Sequence, residues 1–131
     1  MRKPSLSKPT EAELAILNVL WDKGPTTVRA VHEALRRERK TGYTTTLKLL
    51  QIMYEKDLVR RDERARSHVY HPRVGREQTQ RLLVGDLLER AFGGSVGSLV
   101  AQALSARRVS KAELAQIGRL LKGTKSGKGR N

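Results

Sequence analysis

Residues 42–59 read GYTTTLKLLQIMYEKDLV: a turn signal, three consecutive threonines, then a strongly apolar helical pattern. Threonine is a mediocre helix former, so a cap accounts for one of the three and the other two need a reason. With Leu50 pointing inward and about 100° between residues, Thr46, Leu47, Met53 and Tyr54 lie within about 60° of it and form the core face. Thr46 is expected to be structural, with its methyl packed and its hydroxyl bonded back to the preceding turn. The opposite side shows Thr44, Thr45, Lys48, Gln51, Ile52 and Glu55. Its first half is small, polar and hydrogen-bonding, with one cation, as a helix reading base edges in the major groove requires. For this segment alone, an ordinary helix with threonine caps and a solvated face stays open.

Upstream, Thr10 and Glu13 make a capping box (T-E-A-E), with Leu14, Leu17, Leu20 and Trp21 following at helical spacing. Gly24 and Pro25 stop that helix. Thr26 or Thr27 caps a second, whose apolar face is Val28, Val31 and Leu35. The third helix runs over about Thr44–Lys56. The period then changes: LVRRD and SHVYHP are short β-prone runs joined by the charged link ERAR, which reads as a hairpin. Three short helices and a two-stranded hairpin make a winged helix-turn-helix. The hairpin carries Arg60, Arg61, Arg64 and Arg66, with Arg64 and Arg66 at the wing tip, within reach of phosphates or a minor groove. That basic hairpin tips the reading of the third helix toward recognition.

From Gly75 the pattern is helical again. One stripe is Leu82, Leu83, Leu87, Leu88 and Phe92, ended by Gly93-Gly94-Ser95; a second is Val96, Leu99, Val100, Ala103 and Leu104. A box of Ser110 and Glu113 precedes Leu114, Ile117, Leu120 and Leu121. Three short helices with apolar stripes and no large core of their own call for a second copy. The expected organisation is a winged-helix domain with an N-terminal arm over 1–74, a helical dimerisation region over 75–122, and a disordered basic tail over 123–131. The fold class is mainly α with a small β-hairpin. The dimer contacts fall on Leu83, Leu87, Phe92, Leu99, Val100, Leu104, Leu114, Ile117 and Leu121.

The composition points to a polyanion. Among 131 residues, 27 Lys and Arg face 13 Asp and Glu, for a formal charge of +14, and such a field favours DNA, RNA or an acidic membrane surface. The charge divides as +6 up to Pro72 and +8 beyond it, so it does not say which half makes contact. Aromatic residues are 4% of the chain, too few for the stacking platforms of single-strand binders. The absence of cysteine excludes disulfides, thiolate metal sites and cysteine nucleophiles. No apolar run follows the first basic residues, and the most apolar stretch is broken by charges and glycines. The expectation is therefore a cytoplasmic protein without a signal peptide or membrane insertion.

Catalysis finds no support in the residues. Glu11 and Glu13 sit in a helix first turn, where capping explains them, and no Ser/His/Asp set has suggestive spacing. Gly93-Gly94 joins two helices as a turn and is no phosphate cradle. His68 and His71, with His32 as a third ligand, do not converge as a metal site, because residues three apart on a strand face opposite sides. Trp21 reads as core. No cofactor, metal or catalytic residue is expected.

Taken in order, TEAELAILNVLWDKGPTTVRAVHEAL, GYTTTLKLLQIMYEKDLVRRD, SHVYHP, GGSVGSLV and VSKAELAQIGRLLKG resemble the BlaI/MecI/CopY family of bacterial transcriptional repressors, from about Leu6 to Gly123. The resemblance implies a winged-helix half and a helical dimerisation half. It further implies dimers on two-fold symmetric operators of double-stranded DNA, and a partner pathway through a membrane-bound protease sensor. Carried onto this chain, the start of the recognition helix falls on Tyr43, Thr44 and Thr45, and the wing on Arg60 to His71. The DNA-binding set is then Tyr43, Thr44, Thr45, Lys48, Gln51, Arg60, Arg64 and Arg66. Relatives often have arginine at Ile52, lysine at Glu55 and glycine at Asp57. Their scissile Asn-Phe bond aligns with Gln102-Ala103, and the cysteine-rich copper site of one branch has no counterpart here. The implied function is sequence-specific repression as a homodimer; the contrasting reading is a nonspecific basic nucleic-acid-binding module, and a third is a dimeric adaptor with incidental charge.

Overall fold

The structure is a computed structural model and describes residues 8–123. The basic arm before Lys8 and the tail after Gly123 lie outside the described residues. Two compact units divide between Asp86 and Leu87.

The first unit begins with α1 (Glu11–Lys23), opened by the predicted box: Thr10 Oγ1 accepts from the Glu13 N–H at 3.1 Å, and Glu13 Oε1 accepts from the Thr10 N–H at 3.0 Å. The Glu13 carboxylate is 2% exposed and also accepts from Lys56 Nζ, at 2.9 Å to each oxygen. A buried carboxylate left without its cation is strongly destabilising, by up to about 3–5 kcal/mol, so the start of α1 is tied to the end of the third helix. At the other end, Gly24 takes φ +84° and its N–H returns to Leu20 O, a conformation that L side chains resist. The apolar stripe is centred on Ile16, Leu17 and Leu20, all fully buried, whereas Leu14 and Trp21 are half-buried. Trp21 packs against the edge of the core, as expected, and its indole N–H donates to Val74 O at 3.0 Å, which ties the segment before α4 to α1.

Pro25 leads into β1 (Thr26–Thr27) and then α2 (Val28–Leu35). Thr27 is the cap, accepting from the Ala30 N–H, and Val28, Val31 and Leu35 face the core. Next, α3 (Tyr43–Glu55) buries Thr46, Leu50 and Met53, and the Thr46 hydroxyl donates to Gly42 O at 3.2 Å, as the sequence predicts. Tyr54 departs from the expectation of a core residue: it is 38% exposed, with the Arg61 guanidinium 3.9 Å from its ring centroid. Burial is centred about 40° from Leu50, on the side of Thr46 and Met53, which moves Tyr54 to the rim.

The hairpin is β2 (Val59–Asp62) and β3 (Val69–Pro72), antiparallel, with Arg60 opposite His71 and Arg61 opposite Tyr70. The sheet has a third strand the sequence reading lacked. Thr26 and Thr27 pair antiparallel with Tyr70 and Val69, giving the order β1-β3-β2. Two residues are too short to show alternation, so β1 left no periodic signal. Tyr70, Leu58 and Val59 carry the sheet into the core of α1, α2 and α3.

Arg76–Phe92 forms α4, whose first part belongs to this unit: Arg76 pairs with Asp22, Lys8 Nζ pairs with Asp86 at 2.8 Å, and Thr79 is buried. The second unit continues from Leu87 through α5 (Val96–Ala106) and α6 (Lys111–Gly123), in which no residue is buried. Gly93 and Gly94, at φ +56° and +83°, make the turn after α4, and Ser95 caps α5. Ser110 accepts from the Glu113 N–H, the forward half of the expected box. No described helix is long and apolar enough to cross a membrane.

The end of α3 carries a local strain. Leu58 N–H returns to Met53 O and Asp57 N–H to Tyr54 O, a Schellman closure with Asp57 at φ +64°. Glycine suits that position, and an aspartate there forgoes about 1 kcal/mol of backbone preference. Its ion pair with Arg73, 3.6 Å apart with both side chains about half exposed, returns little. Asp57→Gly is therefore expected to stabilise the protein by at most about 0.5 kcal/mol, because the added unfolded-chain entropy offsets about half or more of the backbone gain. Urea unfolding followed by circular dichroism would show it as a raised midpoint with an unchanged slope.

Candidate nucleic-acid interface

The interface is built on the rotation of α3. Once Thr46, Leu50 and Met53 are buried, the far side is set, and Thr44, Thr45, Lys48, Gln51, Ile52 and Glu55 are all exposed. Lys48 and Thr44 lie close to the centre of that outward face, with Gln51 beside them and Thr45 toward one edge. The cap residue of α3 is Gly42, which offers no side chain to the first N–H groups, so these remain available to an acceptor. Of the three threonines, one is a core residue bonded to the turn and two face outward.

Tyr43 begins the helix, partly exposed, with the His32 ring edge-on at 5.9 Å and the Arg29 guanidinium 5.8 Å from its centroid. Arg29 lies outside the DNA-binding set expected from the sequence. The signal was its place two residues after the α2 cap, in the turn that faces the start of α3. Tyr43 and Arg29 share a groove of about 290 Å³ with Arg66, Ser67 and His68 of the wing loop. Arg66 is thereby brought to the start of α3.

The remaining wing arginines differ in their surroundings. Arg60 is exposed on β2 and, like Lys48 and Arg66, pairs with no carboxylate among the described residues. Arg61 stacks on Tyr54 and holds Glu63 at 2.7 Å. Arg64 is fully extended into solvent but chelates Asp62, with Nε and Nη2 at 3.0 and 2.9 Å from the two oxygens and its own N–H at 3.1 Å. The hydrogen bonds from Arg64 hold the Asp62 carboxyl far below the usual carboxylate range. A phosphate reaching Arg64 must displace that carboxylate, whereas Arg60 and Arg66 are open to one. His32 Nδ1 is buried without a hydrogen-bond partner, His68 lines the groove, and His71 sits opposite Arg60. No group of three potential metal ligands forms among the described residues.

The residues assigned to dimer contacts are in α4–α6, and none is buried within the chain. Leu83, Phe92, Leu99 and Ile117 are half-buried; Leu87, Val100, Leu104, Leu114 and Leu121 are exposed.

Comparison with known proteins agrees with this architecture. The family model described as penicillinase repressor matches residues 9–123. Proteins called transcriptional regulator BlaI, from two strains of Mycobacterium tuberculosis, are 38% identical over 87 residues, covering 66% of this chain and 63% of theirs. The matched stretch is therefore less than two thirds of those relatives' length. The solution structure of the DNA-binding domain of the repressor BlaI superposes with a TM-score of 0.50 at 20% identity, over 60% of this chain and 93% of that one. The solution structure of the monomeric form of Bacillus licheniformis BlaI in complex with the blaP half-operator gives a TM-score of 0.48 at the same identity and coverage. A winged helix is thus the shared fold, and this chain belongs to the penicillinase repressor family.

Proposed function

We propose that the protein is a sequence-specific DNA-binding transcriptional repressor that acts as a homodimer on a palindromic operator. The observation that carries the reading is the setting of α3, which turns Thr44, Thr45, Lys48 and Gln51 outward together beside a basic wing. Family membership and the regulator name of the mycobacterial relatives support it. In this reading α3 enters the major groove. Thr44 and Thr45 offer hydroxyls to base edges and methyls to thymine, and Gln51 and Lys48 supply longer hydrogen-bond donors. Tyr43, Arg60 and Arg66 hold the backbone, and Arg64 joins them by exchanging Asp62 for a phosphate.

Exposure in α4–α6 supports the dimer. Val96 and Leu121 are each more than 60% exposed, and burying a side chain of this size stabilises by about 1.5–3 kcal/mol. A second copy supplies the missing apolar surface over residues 75–122, and two recognition helices then meet half-sites about one helical turn, or a multiple of it, apart. Relief by a protease-linked signal completes the proposal; the position of the family's scissile pair is Gln102-Ala103, inside α5.

The competing reading, a nonspecific basic module, draws on the +14 charge alone. Fluorescence anisotropy at fixed near-physiological salt separates the two. Thr45→Ala should weaken binding to DNA from upstream of the protein's own gene by about 1–3 kcal/mol while leaving a scrambled duplex nearly unaffected. An equal loss on both duplexes would count against base reading. In sedimentation, Leu99→Asp should convert a dimer into a monomer and abolish tight operator binding. An unchanged profile would remove Leu99 from the interface.

A further inference from the structure

Two grooves on the first unit share Thr27 and Arg29. One, of about 290 Å³, runs between the start of α2, the start of α3 and the wing loop, and contains Arg66. The other, of about 960 Å³, adjoins it at those two residues and is lined along α2 from Thr27 to Arg37, with Lys23 of α1. Lys23, Arg29, Arg37 and Arg66 make no ion pair among the described residues. Glu33, the one carboxylate in either lining, is already bound to Arg36 at 3.2 Å. The furrow is thus lined by four cations whose counter-charge the described chain does not supply. Arg29 stands at the junction, its guanidinium near the Tyr43 ring at the first residue of α3.

We infer that this furrow is a phosphate track. It seats the sugar–phosphate backbone of one DNA strand from the wing, across Arg29, to the far end of α2, and so sets the depth and angle at which α3 meets the groove. The inference rests on the proposed DNA-binding function and adds to it a second surface, on α2, with Lys23, Arg29 and Arg37 as positioning residues. The chemistry of the lining selects the occupant. Guanidinium and ammonium groups spaced along an open furrow match a repeating line of phosphates. They read no bases, so they raise affinity for every sequence alike. The track and the outward face of α3 therefore divide the work: one holds the duplex, the other discriminates.

The test is the salt dependence of binding to a random-sequence duplex, for wild type and for Arg29→Gln, Arg37→Gln and Arg66→Gln. Glutamine keeps most of the stem of each side chain, and circular dichroism reports whether each variant is folded. Each phosphate contact contributes about 0.9 to the slope of log K against log salt. Each substitution is expected to make the slope shallower by that amount and to leave the ratio of upstream-DNA to random-DNA affinity unchanged. Wild-type binding with a steep slope that Arg29→Gln and Arg37→Gln leave intact would overturn the track while the DNA-binding function stands. A wild type without salt-dependent binding to any duplex would overturn both. Polyglutamate displacing DNA from wild type but not from Arg29→Gln, at equal charge concentration, would assign the furrow to an acidic protein segment and overturn the duplex as its occupant.

Discussion

Burial of Thr46, Leu50 and Met53 fixes the rotation of α3 about its own axis, and the rest of the interface depends on that setting. A turn of one residue, about 100°, would carry Lys48 and Thr44 off the outward face and force apolar side chains into water. Thr46 holds the rotation in two ways. Its methyl fills the core, and its hydroxyl is bonded to Gly42 O, which removes the cost of burying a polar group. The neighbouring threonines can then be polar without penalty because they face outward.

The helix is also held at both ends by groups distant in sequence. At its C-terminal end, Lys56 reaches the buried Glu13 carboxylate that opens α1, and Leu58 turns back into the core through the Asp57 closure. At its N-terminal end, Tyr43 stands between His32 and Arg29 of α2 and lines the groove that the wing loop completes. The helix α3, the wing and α2 are thus parts of one packed unit with Tyr70 and Leu50 in its core. In such a unit the outward side chains keep a fixed spacing, which a base-reading surface needs.

Much of this was legible in the sequence, and the exceptions have physical reasons. The capping box of α1, the stop at Gly24 and the inward Thr46 follow from residue chemistry at fixed offsets, and each is found where spacing predicts it. The hairpin follows from a change of period. Strand β1 escaped because two residues carry no alternation, and Tyr54 was misplaced because a wheel centred on Leu50 ignores where the neighbouring helices lie. The Arg64–Asp62 and Arg61–Glu63 pairs could not be read from a run of charges, since the sequence gives their separation and not their partners. Arg29 stayed hidden because its importance lies in the approach of two helix starts, a tertiary fact.

The most direct measurement of the central claim is amide chemical-shift mapping of isotopically labelled protein titrated with DNA from upstream of its own gene. The account predicts that the largest perturbations fall at residues 43–52 of α3 and 60–68 of the wing, with smaller ones along α2. Perturbations spread over basic residues throughout the chain, or concentrated in residues 96–121, would contradict it.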